Sequence, residues 1–416
     1  MQRSLLVVTL IISMVLAQTP ALAVLPPVSV TVDTFPVSFD TSPIIVNGRV
    51  MVPFRAIANA LHIQVQWDNQ TQSIIANYAS HVIKMRINDK MAYYDTRPLA
   101  MDVAPMIRNG RTLVPLGIFA SITGGFANWD NNLRCAKIYS PKKAMTILGF
   151  YALGDSKTSS WTNLFGKAYP EAGDGNTEMI SELALGWFTA DVQGNLLAKS
   201  TSGWQRPSGW ENVLNAAATH CISSDMMVFI SDQDSVLSGI MRDEASSSAL
   251  IDNILAGVEP YRGVNLDLEA YMPMQVAMAP EVYREPLNAF VKRLSDKLHA
   301  KGKTLTLTIP PPNSHYIGYD YAVLGQNADR IVIMAYEYGP KPEPIEMVKD
   351  AINQALKVVP ANKLVLGICV PYETPDSILD KIALAKHYDL HGIAVWRLGL
   401  LSDQMWHALL ISVTKA

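Results

Sequence analysis

From residue 144 onward, short apolar, β-branched runs recur between longer stretches whose apolar residues lie three and four positions apart. A short run of this kind reads as a buried strand, and the three-and-four spacing reads as an amphipathic helix. The predicted strands are Thr146–Tyr151, Glu182–Phe188, Met226–Ser231, Gly263–Glu269, Thr304–Ile309, Arg330–Tyr336, Lys363–Val370 and His391–Leu398. Leu287, Phe290, Val291, Leu294 and Leu298 share one helical stripe that Gly302 stops. Ile345, Val348, Ile352 and Leu356 form another after Pro344. Strand–helix alternation predicts a parallel sheet with crossover helices. Residues 144–416 have the length of an α/β, (β/α)8 TIM barrel. A doubly wound open sheet is the alternative, but no glycine-rich phosphate loop follows any predicted strand.

The front of the chain follows another pattern. PIIVNGRVMVPFRAIANALHIQVQWDN begins at Pro43 and PMIRNGRTLVPLGIFASITGGFANWDN at Pro105, an ungapped offset of 62. Asn47-Gly48-Arg49 matches Asn109-Gly110-Arg111, Val52-Pro53 matches Val114-Pro115, and Trp67-Asp68-Asn69 matches Trp129-Asp130-Asn131. Asn-Gly between apolar runs favours a tight turn with φ > 0. Val52, Ile57 and Leu61 then mark a short helix, and Trp-Asp-Asn ends a strand. Two such repeats predict a small α+β domain over residues 27–140. Trp67 and Trp129 read first as core residues, with stacking on sugar as the other reading.

Ahead of the repeats, Arg3, the apolar run Leu5–Leu16 and Ala21-Leu22-Ala23 predict a signal peptide over residues 1–23. The apolar run falls short of the roughly 20 residues a spanning helix needs, so no stable membrane insertion is expected after cleavage. The mature chain is read as secreted or associated with the cell envelope.

Composition narrows the classes. A hydrophobic fraction of 49% fills a sizeable core, and a net charge of −3 without a basic patch argues against nucleic acid. Cys135, Cys221 and Cys369 are too few and scattered for a disulfide framework, although one disulfide stays open. The eight histidines include no HExxH and no ligand-spaced cluster, so no metal or cofactor is expected.

The chemistry is concentrated in YRGVNLDLEAY, Tyr261–Tyr271. Side chains alternate along a strand, so Val264, Leu266 and Leu268 face the helices while Asn265, Asp267 and Glu269 face the barrel interior. Three polar groups in a row on an inner face are unexpected, and they end where barrel active sites are built. Two carboxyls at i and i+2 resist ionising together, which keeps a proton available for general acid work. A buried, hydrogen-bonded core cluster is the other reading of the same pattern.

This segment resembles the strand-4 signature DxxDxDxE of glycoside hydrolase family 18. Glu269 falls on the catalytic acid and Asp267 on the last aspartate. Asn265 replaces the middle aspartate, as in the family's spore-cortex branch, and Arg262 replaces the first, a departure that concerns how the ladder is supported. MAYEYG, Met334–Gly339, resembles the strand-6 Met-x-Tyr-Asp, with Tyr336 on the tyrosine and Glu337 in place of aspartate. GIAVWRLGL, Gly392–Leu400, resembles the strand-8 ending, with Trp396 as the floor of a sugar subsite. LGFYALGD, Leu148–Asp155, fits strand 1, and Tyr151 and Trp187 are further subsite candidates. The front repeat resembles the copper amine oxidase N-terminal, or stalk, domain. His62 and His81 are its only histidines, so a spacer or wall-facing accessory role is expected in place of copper chemistry.

The family resemblance implies a retaining hydrolase without a protein nucleophile, outside the usual two-carboxylate scheme. Glu269 would protonate the glycosidic oxygen while the substrate's own 2-acetamido oxygen attacks the anomeric carbon. Asp267 and Tyr336 would orient the acetamido group, and Trp396, Asn265 and Glu337 would bind the sugar. The implied partner is an N-acetylated polysaccharide cleaved at β-1,4 bonds. The stretch from Val370 to Leu400 resembles spore-associated N-acetylglucosaminidases, which implies a Gram-positive, spore-forming source. Little chain separates Tyr372 from His391, so the groove should be open, favouring peptidoglycan over chitin. No LysM-like repeat is present to support that preference. A non-catalytic carbohydrate-binding barrel is the alternative function.

Overall fold

The computed structural model describes residues 26–199, 205–269, 280–316 and 318–416; the predicted signal peptide lies outside them. Eight parallel strands form a closed ring: β1 (Lys143–Tyr151), β2 (Glu182–Ala190), β3 (Ser223–Ser231), β4 (Gly263–Glu269), β5 (Thr304–Ile309), β6 (Arg330–Ile333), β7 (Leu364–Cys369) and β8 (Gly392–Trp396). Each pairs with the next, and β1 pairs with both β2 and β8, which removes any sheet edge. All eight strands coincide with the predicted runs. β6 is shorter than expected. The Ala335 N–H donates to the Ile333 carbonyl and the Tyr336 N–H to the Met334 carbonyl, both at 2.8 Å. These three-residue turns take Tyr336 out of the ladder.

The two apolar faces of the strands fill separate cores. Leu148, Phe150, Ala184, Met227, Val332, Val365 and Ala394 fill the barrel interior. Val264, Leu266 and Leu268 pack in the outer layer with Leu287, Phe290, Val291, Leu294 and Leu298 of the helix Pro280–Ala300. The stripe predicted after Pro344 is the helix Ile345–Leu356, capped by Pro344. The segment between β7 and β8 carries a short turn, Val370–Tyr372, and one helix, Pro375–His387.

A charged cluster closes the N-terminal end of the barrel. Arg262 donates to Asp225 on β3, at 2.9 Å to Oδ1 and 2.5 Å to Oδ2, and pairs with Glu182 on β2. Arg330 on β6 pairs with Glu182 at 2.7 Å and donates to Thr306 Oγ1 on β5 at 3.2 Å. Burial raises the Glu182 carboxyl, but the two guanidiniums outweigh it and hold the group below its ordinary range. Arg262 therefore braces the barrel floor and stands at the opposite end of β4 from Glu269.

The front domain shows why its sequence repeats. Each copy gives a hairpin, a short helix and a strand pair: Ile44–Val46, Arg49–Pro53, Phe54–Ala60, Gln64–Asp68, Ser73–Tyr78, and then Met106–Arg108, Arg111–Pro115, Leu116–Thr123, Phe126–Asp130, Cys135–Tyr139. The Asn-Gly turns have positive φ at both residues, +49° and +73° in one copy and +51° and +71° in the other. The copies pair antiparallel with Val52 opposite Val114, so repeat-matched residues meet across a local two-fold. Arg49 pairs with Asp102 and Arg111 with Asp40, reciprocal contacts between copies.

Lys137 Nζ and the Tyr139 hydroxyl both donate to Asp380 at 2.8 Å, joining the front domain to the helix Pro375–His387 of the barrel. Phe35 stacks on His387 with ring centroids 3.9 Å apart. Cys135 and Cys369 are buried free thiols and Cys221 is an exposed one, so no disulfide joins them. Among the described residues no helix is long and apolar enough to cross a membrane, and no group of three His, Cys, Asp or Glu side chains is placed to hold a metal ion.

Candidate active site

β4 carries the polar face that its alternation predicts. Asn265 and Asp267 are buried inside the barrel and Glu269 is half-buried at its mouth. Thr308 on β5 donates to Asn265 Oδ1 at 2.9 Å. Asn265 Nδ2 and Asp267 Oδ1 have no hydrogen-bond partner among the described residues. A buried donor and acceptor left open inside a well-packed barrel is unfavourable unless something else completes them.

Burial raises both carboxyls. Burial first, then the charge of Glu269, holds the Asp267 carboxyl well above the usual carboxylate range. Burial, then the charge of Glu337, pushes Glu269 up to about 7. Glu269 thus keeps its proton near neutrality, which a general acid requires. Burial and Asp267 also push the Tyr336 hydroxyl up, so it remains a donor.

Tyr336 and Glu337 follow β6, where the chain has left the ladder. Glu337 has φ +68°, in the left-handed region that disfavours a long side chain. Its conformation is held from behind. The Glu337 N–H donates to Glu343 Oε1 at 2.9 Å and the Tyr338 N–H to Glu343 Oε2 at 3.1 Å. Lys381 Nζ, buried, donates to the Glu343 carbonyl at 3.0 Å and to Glu373 Oε2 at 2.9 Å. Glu343 and Lys381 were not among the expected site residues. Lys381 carries a signal, a charge set within the apolar stripe of Ile378, Ile382 and Ala385; Glu343, in a proline-rich loop, carries none.

A cavity of about 300 Å³ opens beside these groups, lined by Glu269, Tyr336, Glu337, Pro310, Asn313 and His315 among others. The Tyr338 hydroxyl donates to Asn313 Oδ1 at 2.9 Å, tying the loops after β5 and β6 together along the cavity. Trp396 ends β8, packs partly against the barrel-interior cluster and is half-buried, at the margin of the mouth. The structure thus gathers Glu269, Asp267, Asn265, Tyr336, Glu337 and Trp396 at or below one barrel mouth.

Tyr151 and Trp187 do not join them. Both are fully buried in the outer layer, in edge contact with centroids 6.4 Å apart. Parity explains Tyr151: Leu148 and Phe150 of β1 point inward, so the next residue points out. Both expectations rested on aromatic character near strand ends, and facing decides otherwise.

The chain matches the description "Glycosyl hydrolases family 18" over residues 147–370 and "Copper amine oxidase N-terminal domain" over residues 31–138. A cortical fragment-lytic enzyme of Bacillus subtilis (strain 168) is 30% identical over 142 residues, which cover 31% of this chain and 31% of that protein. The matched stretch therefore spans about a third of that relative's length. A spore cortex-lytic enzyme, SleL, of Bacillus megaterium QM B1551 superposes with a TM-score of 0.53 at 18% identity, covering 76% of this chain and 80% of that one. A chitinase of Chromobacterium violaceum ATCC 12472 gives a TM-score of 0.52 at 19% identity, covering 64% and 98%. Both structural likenesses concern the fold.

Proposed function

The chain belongs to the glycosyl hydrolases family 18, and from that premise we propose that it is a secreted or envelope-associated glycosidase that cleaves β-1,4 bonds of N-acetylglucosamine-containing glycans. The observation that carries the reading is the carboxyl of Glu269 at the barrel mouth, two residues along one strand face from the buried carboxyl of Asp267 and pushed up to about 7 by burial and Glu337.

In the proposed mechanism Glu269 donates its proton to the leaving glycosidic oxygen as the C1–O bond breaks. The acetamido oxygen of the same sugar forms the new bond to C1, giving an oxazolinium ion. Asp267 accepts a hydrogen bond from the acetamido N–H, and the positive charge that develops there favours its carboxylate form, which burial disfavours in the free site. Tyr336 donates to the acetamido oxygen and fixes its line of attack. Glu269, now ionised, takes a proton from water, which opens the ring with net retention. Asn265 completes the polar floor, Trp396 provides the apolar platform for the sugar, and Glu337 meets its hydroxyls.

Peptidoglycan is favoured over chitin. The single helix between β7 and β8 adds no wall to the groove, and the matched relative is named for lysis of cortical fragments. The front domain would hold the enzyme to the wall.

The test is release of reducing ends from peptidoglycan and from chitin by the wild-type chain and by Glu269→Gln. Wild-type release, with roughly a 10³-fold or larger loss in Glu269→Gln, is expected for removal of the acid. Binding without release by the wild-type chain would instead identify a carbohydrate-binding barrel.

A further inference from the structure

The front domain carries two grooves related by its internal repeat. The larger, of about 760 Å³, is walled by Asp40, Pro53, Arg55, Ala56, Asn59 and Arg111 among others. The smaller, of about 250 Å³, is walled by Asp102, Pro115, Gly117, Ile118, Ser121 and Arg49. These are the same positions displaced by 62 residues in one direction or the other. The Asp–Arg pair that both grooves keep, Asp40 with Arg111 at 2.7 Å and Asp102 with Arg49 at 2.5 Å, clamps one copy to the other. That pair and the prolines belong to the scaffold.

What differs between the grooves is not required by the scaffold, because the second copy folds without it. Arg55 corresponds to Gly117 in the other copy, Asn59 to Ser121, Ser38 to Ala100 and Thr112 to Val50. At each of these positions the larger groove has the more polar or the longer hydrogen-bonding side chain. Trp67 and Asn69 also line the larger groove, whereas their repeat partners do not line the smaller one. Trp67 packs partly on the front core and is half-buried, so its ring is fixed and still reachable. The Arg55 guanidinium lies 5.6 Å from the centre of the Phe54 ring and makes no ion pair among the described residues.

We propose that the larger groove is a glycan-binding site, for a saccharide strand that carries carboxylate groups. An indole offers an apolar face to the C–H side of a sugar ring, while amides and hydroxyls on the rim satisfy ring hydroxyls. The unpaired guanidinium forks onto a carboxylate. The volume lies within the ~300–1,000 Å³ typical of sites for small ligands. The site goes beyond the proposed hydrolysis and draws on that reading only for the choice of peptidoglycan as the probe.

Arg55→Gly combined with Asn59→Ser installs the residues that the second copy already carries, so the fold has a precedent for both. In a Glu269→Gln chain, which leaves the polymer intact, the pair should weaken retention on insoluble peptidoglycan at least tenfold. Retention on uncharged chitin should change less than twofold. With Glu269 present, the same pair should leave hydrolysis of a soluble chito-oligosaccharide unaltered. Unchanged retention on peptidoglycan, with thermal unfolding showing the variant folded, would overturn the site; an equal loss on chitin would overturn the carboxylate contact. If the parent chain hydrolyses nothing, the hydrolytic reading fails while the retention result still decides the groove.

Discussion

Glu269 sits where burial and the charge of Glu337 both favour its protonated form. Asp267 lies below it on the same strand face, Tyr336 and Glu337 approach from the end of β6, and His315 lines the same cavity from the loop after β5. Burial is the larger cause of its raised pKa and Glu337 the next. The acid step needs the proton, so kcat/KM falls as pH rises through about 7. Removing the charge in Glu337→Gln relieves one of the raising influences, so the falling limb should move to lower pH, by roughly half a unit to one unit. A pH profile on a soluble N-acetylated oligosaccharide measures this; a limb that stays in place or moves up would show that Glu337 does not act on Glu269. The alternation of VNLDLE made the two β4 carboxyls legible in the sequence. The proximity of Glu337 was not, because its position depends on β6 ending at Ile333 and on the hydrogen bonds that the Glu337 and Tyr338 N–H groups donate to Glu343.

At the scale of the element, β4 does separate work at its two ends. Its C-terminal end presents the polar ladder, and the residue before its N-terminal end is locked into the floor with Glu182 and Asp225. Arg262 was expected to bear on how the ladder is supported, and its partners Glu182 and Asp225 place it with stability, as expected for that face of a barrel. Arg262→Ala leaves two largely buried carboxylates with only Arg330 to balance them, and should lower folding stability by about 3–5 kcal/mol. Denaturant unfolding measures the loss, and KM for a soluble oligosaccharide at 25 °C should stay within twofold. Arg262→Asp would be worse, since it sets a third carboxylate beside two others. A raised KM without lost stability would return Arg262 to the substrate site.

In the molecule as a whole, a short connection and a polar seam hold the two domains together. The last front strand ends at Tyr139 and β1 begins at Lys143. Asp380 accepts from both Lys137 and Tyr139, and Lys386 donates to the Ser140 carbonyl at 2.8 Å. Asp380→Ala removes the shared acceptor and leaves Lys137 and Tyr139 facing an apolar methyl in a partly buried seam. Limited proteolysis between residues 139 and 143 should become several-fold faster, with hydrolysis of a soluble oligosaccharide preserved. Equal rates would mean that Phe35 stacked on His387 suffices to hold the seam.

Local pattern alone determined the eight strands, the inward facing of Asn265, Asp267 and Glu269, and the Asn-Gly turns of the repeat, because strand alternation and turn chemistry depend on neighbours a few residues apart. Facing in less regular stretches required the folded chain. Tyr151 and Trp187 look like subsite aromatics in sequence and are outer-layer packing in space. Long-range pairing was likewise invisible: Glu182 and Arg262 are 80 residues apart, and Lys143 and Asp389 pair from opposite ends of the barrel sequence. Such contacts exist only once the ring closes, and closure is a property of all eight strands together.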